Sequence, residues 1–322
     1  CYYIMALVMA AEEGDVQYVR RLLDRGIDPD IQDHYGETAL MWASVNNHIN
    51  IVKLLLDRGA DPNIHDKNRV TSLMLASQNN HINIARLLLE QGANSDIKNY
   101  NEDTALIFAS RRDHFDIARL LLELGADPNI QNDYGDTALI VASQEGYIDI
   151  VKLLLDIGAD PDIQGGKGKT ALITTSTGRS RNIDIVRLLL DRDADPNIRW
   201  SFGQTALELA VQNGHDDIAQ LISDHIALQR AQQNLAFMKY SMDYDNLDYD
   251  TTVKLLEITR GYNPAVMRRM HDETRRIRDE EIENTMVADY LHDLDQYGSG
   301  RRRRKSKRSS KRNKKYTRNR FY

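Results

Sequence analysis

The sequence predicts an all-α solenoid of seven helix-turn-helix repeats with short hairpin fingers, followed by a C-terminal helical segment and a disordered basic tail. The first observation is a step of 33 residues, which lengthens to 35 once because of a two-residue insertion. The second is that each step holds two apolar segments separated by a turn. The third is that 41% of the 322 residues are apolar, enough for a large core. The equivalent opening positions are Met5, Thr38, Thr71, Thr104, Thr137, Thr170 and Thr205.

One repeat, residues 137–163, shows why an array is expected. Its first apolar segment ends at Gly146 and its second at Gly158, and a glycine just past a helix end suits the left-handed conformation needed there. Asp149 lies near the positive end of the second helix dipole. Two helices of two or three turns have too little core to be stable alone. Because the second helix is apolar on more than one face, it must be buried against a neighbouring copy.

The repeat resembles the ankyrin repeat, which has the same period and two helices per unit. The family's threonine-proline-leucine-histidine opening appears as Thr-Ala-Leu-Ile at 137–140, and its glycine-histidine turn as Gly214-His215. The leucine-rich second helix and its glycine-alanine-aspartate ending appear at 54–61, LLLDRGAD. The resemblance covers about two thirds of the chain. The Asp-Pro-Asn-Ile loops at 61–64 and 127–130 are also similar to the ankyrin families of giant DNA viruses that infect amoebae, which implies a viral protein acting in a host cell.

The chain departs from the family pattern at two kinds of turn. Asn47, Asn80 and Asp113 stand where the first helix usually ends in glycine, and these residue types tolerate a left-handed backbone. Arg69 and Glu102 replace the glycine of the hairpin turn. If those turns keep the geometry of the other copies, each substitution costs about 1 kcal/mol.

Composition and patterning predict three parts. Residues 1–225 are the repeat array, and its first copy is the N-terminal cap. Residues 226–297 are a helical C-terminal extension with an acidic break at 243–250. Residues 298–322 are a low-complexity basic segment, which self-repulsion should keep disordered.

Charge and cysteine usage bound the location. Residues 301–322 carry 13 of the 42 Lys and Arg and none of the 48 Asp and Glu, so the net charge of −6 conceals an acidic body and a basic tail. The single cysteine, Cys1, allows no intrachain disulfide and favours a reducing compartment. The ten apolar residues at the start are too short for a membrane span and lack the basic start of a signal peptide. We expect a monomer, cytoplasmic or nuclear, with no membrane association.

Neither of two catalytic or ligand-binding motifs withstands comparison with the repeat. The segment 165–170, GGKGKT, is similar to a phosphate-binding loop, but Ile163 stands where that motif needs glycine. It aligns with the hairpin turn of the other copies. Four histidines recur in register, but equivalent positions in neighbouring repeats lie about 10 Å apart, too far to share a metal. We therefore expect no enzyme activity, no metal and no cofactor. The four histidines are His48, His81, His114 and His215.

The resemblance implies that a protein partner binds the concave face formed by the hairpin fingers and the first helices. Positions on this face change in size, charge and aromaticity from copy to copy while the repeat frame stays constant. Aromatic residues often dominate interface energies, so we expect them to anchor the partner. The alternative is that some aromatic rings only cover a neighbouring finger. The candidate partner-binding residues are Tyr35, Tyr100, Tyr134, Trp200, Phe202, Arg111 and Arg112.

The basic tail leaves three alternatives open. It can bind DNA or RNA through phosphates, it can be a nuclear localisation signal read by an import receptor, or it can fold back on the acidic body. The first two make the chain a nucleic-acid-associated or nuclear-targeted adaptor, which is the alternative to a pure protein-binding scaffold. The residues concerned are Arg301, Arg302, Arg303, Arg304, Lys305, Lys307, Arg308, Lys311, Arg312, Lys314 and Lys315.

Overall fold

The computed structural model describes residues 2–178 and 182–241. The chain divides into two compact units, 1–229 and 230–322, and the first holds the repeat array. Fourteen α-helices lie within the described residues and form seven pairs. The same residues contain no β-strand, only one isolated bridge between His65 and Thr71. The all-α repeat fold is therefore confirmed.

Each pair consists of a first helix and a second helix in chain order. The first helices are α1 (Tyr2–Glu13), α3 (Ala39–Val45), α5 (Ser72–Gln78), α7 (Ala105–Arg111), α9 (Ala138–Glu145), α11 (Ala171–Thr177) and α13 (Ala206–Gln212). The second helices are α2 (Val16–Asp24), α4 (Ile49–Asp57), α6 (Ile82–Glu90), α8 (Phe115–Glu123), α10 (Ile148–Ile157), α12 (Ile183–Asp191) and α14 (Asp216–Ser241). Helix α14 continues across residue 225, and the domain boundary predicted there stays a prediction.

The opening threonine is the N-cap of the first helix. Thr137, for example, has an extended backbone, and its hydroxyl oxygen accepts a hydrogen bond from the amide of Ile140 at 3.3 Å. This bond satisfies one of the amides that a helix start leaves without a partner. The same cap recurs at every threonine of the series from Thr38 to Thr205. At Thr205 it becomes a capping box, because Glu208 bonds back to the threonine amide.

The helix pairs stack into one continuous core. Each first helix packs against the next first helix from α1 to α13, and each second helix packs against the next from α2 to α12. Leucines of the second helices, such as Leu55 and Leu154, are fully buried in the stack. In the first repeat, Tyr18 and Arg21 stand where Ile51 and Leu54 stand in the second, and the Arg21 guanidinium lies 5.5 Å from the Tyr18 ring centre. The outer face of the first repeat is therefore more polar than that of the second.

The recurring histidines connect neighbouring repeats. Each lies just before a second helix, and a ring nitrogen bonds a backbone carbonyl at or near the end of the first helix of the preceding repeat. The distances are 2.9 Å from His81 to the Val45 carbonyl and 2.8 Å from His114 to the Ser77 carbonyl. Within the described part of the chain, no group of three or more His, Cys, Asp or Glu side chains could hold a metal ion. The recurrence of these histidines in the repeats is thus explained by a structural bond.

The Asp-Pro loops form a second connection. The carboxylate of Asp28 accepts from the Asp30 amide at 3.0 Å, and that of Asp30 accepts from the Asp61 amide of the next repeat at 2.9 Å. The pattern continues to Asp195. Burial, together with the charges of Asp28 and Asp61, raises the pKa of Asp30. These loops therefore hold the edge of the array together through side chains that accept from the backbone.

Candidate protein-binding surface

Six fingers precede the opening threonines, at residues 33–37, 66–70, 99–103, 132–136, 165–169 and 200–204. In each, the amide of the first residue donates to the carbonyl of the fifth, as between Asp66 and Val70 at 3.0 Å. The first four fingers begin with Asp or Asn, whose side chain also accepts two amides. For Asp66 these are the amides of Asn68 at 2.8 Å and Val70 at 2.7 Å. The finger is thus a closed turn, stabilised by its own first side chain.

The fourth position of every finger has a left-handed backbone. The φ angle is 82° at Gly36, 61° at Arg69 and 57° at Glu102. The turns with Arg69 and Glu102 therefore keep the geometry of the glycine-containing fingers. The left-handed conformation expected at Asn47 is also confirmed, with a φ of 60°. Arginine and glutamate carry a steric penalty at this position that glycine does not.

Neighbouring fingers are joined mainly through their backbones. The amide of Lys67 donates to the carbonyl of Tyr35 at 3.0 Å, and the bond recurs in the next two steps and in the last. Between the fourth and fifth fingers, the Gly166 amide instead donates to the Asp136 carboxylate at 3.1 Å. A side chain at Gly166 would place its Cβ 2.9 Å from the Tyr134 carbonyl oxygen, so this close approach requires glycine. The GGKGK segment is thus a finger, as the alignment predicted.

Four of the five aromatic candidates are freely accessible. The side chains of Tyr35, Tyr100, Tyr134 and Phe202 are between 59% and 69% exposed. Large apolar groups held on rigid turns at this exposure suit contacts with another protein. The four rings belong to the first, third, fourth and sixth fingers, so they are distributed along the finger row.

Trp200 differs from the other four. Its side chain is half-buried and packs against the core of the array. Its ring centre lies 4.7 Å from that of Phe202, and the Lys169 ammonium lies 5.0 Å from it. The structure therefore places Trp200 under the fifth and sixth fingers, where it supports Phe202 and Lys169.

The two arginine candidates occupy different environments. The guanidinium of Arg111 donates two hydrogen bonds to the Asp103 carboxylate, at 2.8 Å and 2.9 Å, and Asp103 is only 3% exposed. Asp103 also accepts from the Asn132 side chain at 2.9 Å. The hydrogen bonds from Arg111 to Asp103 raise the pKa of the Arg111 guanidinium. Arg112, by contrast, is exposed. Arg111 therefore fixes the third finger to its helix, whereas Arg112 is accessible.

The first helices contribute an inner face, defined as the face turned toward the fingers. Trp42 lies on it, because its indole nitrogen donates to the finger residue Glu37 at 3.2 Å. Burial and then the charge of Asp33 raise the pKa of Glu37. Met9, Leu75 and Phe108 occupy the same helix position in their own repeats, and none of these four was predicted as a site residue. The sequence does distinguish this position. The fourth residue after the opening position varies from repeat to repeat, whereas the third residue is Met or Ile in every repeat from Met41 to Ile173.

Other predicted sites lie outside the described residues. They are the residues of the basic segment from Arg301 to Lys315. Among the helices of the described part, none combines the length and the apolar character that crossing a membrane requires.

Comparisons with known proteins agree with this architecture. A family model of ankyrin repeats, in three copies, matches residues 3–66, 73–165 and 139–234. Among solved structures, 559 chains match. One is the crystal structure of the ankyrin repeat domain of Bcl-3, described as a unique member of the IkappaB protein family. It is 29% identical, covers 64% of this chain and 93% of that chain, and superposes with a TM-score of 0.59. A search of curated protein sequences finds no match.

Proposed function

The chain belongs to the ankyrin-repeat family, and on this basis we propose that it is a non-enzymatic scaffold that binds a protein partner through its fingers and inner face. Ankyrin repeats generally mediate protein–protein interaction. The observation that carries the proposal is a constant frame with variable, exposed aromatic tips. Tyr100, Tyr134 and Phe202 make no contribution to the core that would explain bulky apolar side chains there.

The likeness to the Bcl-3 domain supports the proposal that the repeats of this chain form an ankyrin-repeat domain of similar size. The likeness covers 93% of the Bcl-3 domain, which is a member of the IkappaB protein family. The identity of this chain's partner is a separate matter, because partner choice depends on the finger side chains. In this chain, the exposed aromatic side chains of the fingers are Tyr35, Tyr100, Tyr134 and Phe202.

Affinity capture with the full chain as bait tests the proposal. The test variant replaces Tyr100, Tyr134 and Phe202 with alanine, and it should lose the captured protein. These side chains are mostly exposed, so the free energy of unfolding of the variant should lie within about 1 kcal/mol of the wild-type value. Trp200 is left unchanged because it supports the fingers.

A matched control comes from the ends of two second helices, which are not part of the proposed surface. Leu124 and Ile157 follow or end the second helices and are 55% and 50% exposed. Replacing both with alanine removes a similar kind of surface and should leave capture intact. Equal capture by the finger variant and the wild type, or equal loss in both variants, would contradict the proposed surface.

The basic tail supports a second proposal, that the chain is a nucleic-acid-associated or nuclear-targeted adaptor. Its support is the 13 uncompensated positive charges of residues 301–322. If about half of them contact phosphates, log affinity for duplex DNA should fall with log salt at a slope of roughly −5 to −6. Anisotropy of labelled DNA and RNA with the full chain and with residues 1–300 measures this. A flat salt response would refute a phosphate-binding role, and loss of nuclear accumulation on tail deletion would favour an import signal. A cytoplasmic or nuclear location and a viral origin stay predictions.

A further inference from the structure

The inner face carries an apolar row over the first four repeats, which we name the inner strip: Met9, Trp42, Leu75 and Phe108. The four residues have the same position in consecutive first helices, and α1, α3, α5 and α7 pack side by side. Met9 is 47% exposed, and the other three are partly exposed. Methionine and the two aromatic rings are residue types that adapt to, or dominate, binding surfaces.

The inner strip ends after the fourth repeat. Its next two positions are Val141 and Thr174, each only 7% exposed. At this helix position, accessible apolar side chains are therefore confined to repeats one to four. A binding segment that uses the strip has a defined length and a defined place.

The two ends of the inner strip differ in charge. Beside Met9 and Trp42 lie the acidic side chains of Glu12, Glu13 and Glu37, and no basic side chain of the described residues forms an ion pair with any of them. The charges of Asp33, Asp66 and Glu12 add to burial in raising the pKa of Glu37, which shows how closely the acids gather at this end. A cation brought by a ligand would relieve that repulsion.

The other end carries one exposed arginine, and the middle has neutral polar neighbours. Arg112 is exposed one turn beyond Phe108, while Arg111 is already paired with Asp103. Between the ends, Asn46 and Gln78 provide neutral hydrogen-bonding groups on the same face. The strip is therefore an apolar surface with an acidic end over repeats one and two and a single exposed arginine over repeat four.

Resting on the proposed function, we propose that the inner strip binds an amphipathic helical segment of the partner protein, with lysine or arginine at the end that lies over repeats one and two. Packed helices lie about 8–10 Å apart, so neighbouring strip residues have that spacing. Residues i and i+7 of a helix are about 10.5 Å apart on one face. A β-strand advances a similar distance in three residues, but side chains three residues apart lie on opposite faces of a strand. A strand therefore cannot direct successive contacts to the strip from one face. Spanning the four positions takes about 16–20 helical residues.

Selection from a phage-displayed library of random 20-residue peptides, on the immobilised full chain, tests this inference. The enriched peptides should have apolar residues at i, i+3 or i+4, and i+7, with basic residues near one end. Affinities are measured in a Trp200→Phe background. The chain has two tryptophans, so Trp42 then reports alone. Its emission should shift to shorter wavelength as the peptide covers it.

Variants of the strip supply the decisive comparison. Met9→Gln and Leu75→Gln should each weaken the selected peptides about tenfold or more, because each removes an apolar contact at a different point of the strip. The double change Glu12→Gln and Glu13→Gln should weaken peptides with a basic end and reduce their salt dependence. Ile157→Gln is the matched control, since it removes a 50% exposed apolar side chain outside both the strip and the fingers and should leave these peptides unaffected. Circular dichroism and urea unfolding establish that each variant folds.

The outcomes separate this inference from the proposed function. Peptides that lose affinity in Phe202→Gln or Tyr134→Ala but not in Met9→Gln or Leu75→Gln would leave the fingers as the binding surface and overturn the strip. A proline-rich pattern with apolar residues at every third position would overturn the helical class, because a polyproline helix repeats at about 9 Å. Enriched peptides that leave Trp42 emission unchanged would also overturn it. Loss of partner capture in the finger variant, together with any of these results, would leave the proposed function standing alone.

Discussion

Replacing Arg111 with alanine separates a structural role from a role in binding. The change removes two charge-assisted hydrogen bonds and leaves the buried Asp103 carboxylate with the Asn132 amide as its side-chain partner. A fully buried pair broken in this way costs 3–5 kcal/mol, but Arg111 is 37% exposed, so solvent screens part of the loss. Hydrogen bonds to charged groups contribute about 1.5–3 kcal/mol. We expect the free energy of unfolding to fall by about 2 kcal/mol.

Arg112→Ala is the control, since it removes the same side-chain type one residue away at an exposed position. It should change the free energy of unfolding by less than about 0.5 kcal/mol. Urea unfolding gives both values, and native-state hydrogen exchange should show faster opening of the third and fourth fingers in Arg111→Ala. A double-mutant cycle with Asp103→Asn should give a coupling energy of about 1–2 kcal/mol. If Arg111→Ala unfolds like Arg112→Ala, the pair is not holding the finger and the assignment is wrong.

Three further predictions follow from the turns and the helix connections. Arg69→Gly should exceed Arg69→Ala in free energy of unfolding by about 1 kcal/mol, because only glycine adopts a φ of 61° without steric penalty; equal urea curves would refute this. His81→Ala should lower stability by about 1 kcal/mol, since the Val45 carbonyl loses its partner, and an unchanged urea midpoint would remove the connecting role. The folded-state pKa of Glu37 is raised above its ordinary value of 4.5, so the folded state binds more protons than the unfolded state and stability falls as pH rises through this window. Glu37→Gln should therefore be more stable than the wild type at neutral pH and lose that advantage in acid, and parallel stability–pH profiles would contradict the raised pKa.

The fold was predictable because one pattern repeats under the same physical constraint. A helix pair that cannot bury its second helix alone requires a neighbour, and each threonine marks where a first helix begins. The left-handed positions could also be placed, since Arg69 and Glu102 align with glycines whose role in a turn is specific. These inferences depend on local backbone geometry and repeat register, which sequence spacing records directly.

The difference between Trp200 and Phe202 was harder to predict, because both are aromatic residues of one finger. Their positions within the finger separate them. Trp200 stands first, where Asp33 and Asp66 turn their side chains back onto the finger, whereas Phe202 stands third, at the position of Tyr35. At the first position, the Asp66 side chain turns back onto its own finger and Trp200 packs against the core. Alignment of all six fingers carries this signal, whereas aromatic content alone does not.

The role of Arg111 depends on a pair that the repeat frame does not impose. Its partner Asp103 is eight residues earlier in the chain, and the same spacing brings Gln204 and Gln212 together at 2.7 Å in the last repeat. The equivalent residues in other repeats include apolar ones such as Val70. Arg111 is therefore not available to a partner, because Asp103, eight residues earlier, already binds it. At an equivalent helix position, a charge is accessible when the finger residue eight positions earlier is apolar. This condition can be read from sequence once the finger register is known.

The way the fingers are connected explains why their tips can vary. The bond from the Lys67 amide to the Tyr35 carbonyl uses backbone atoms alone, and so does the bond between the first and fifth residues of each finger. Any side chain that accepts the local backbone angles preserves these bonds, so folding places little constraint on the exposed tips. The close approach at Gly166 is an exception, and there the neighbouring finger does restrict the residue. Bulky aromatic rings at unconstrained, exposed tips are thus not required by the fold, and binding another protein is the physical role that fits them.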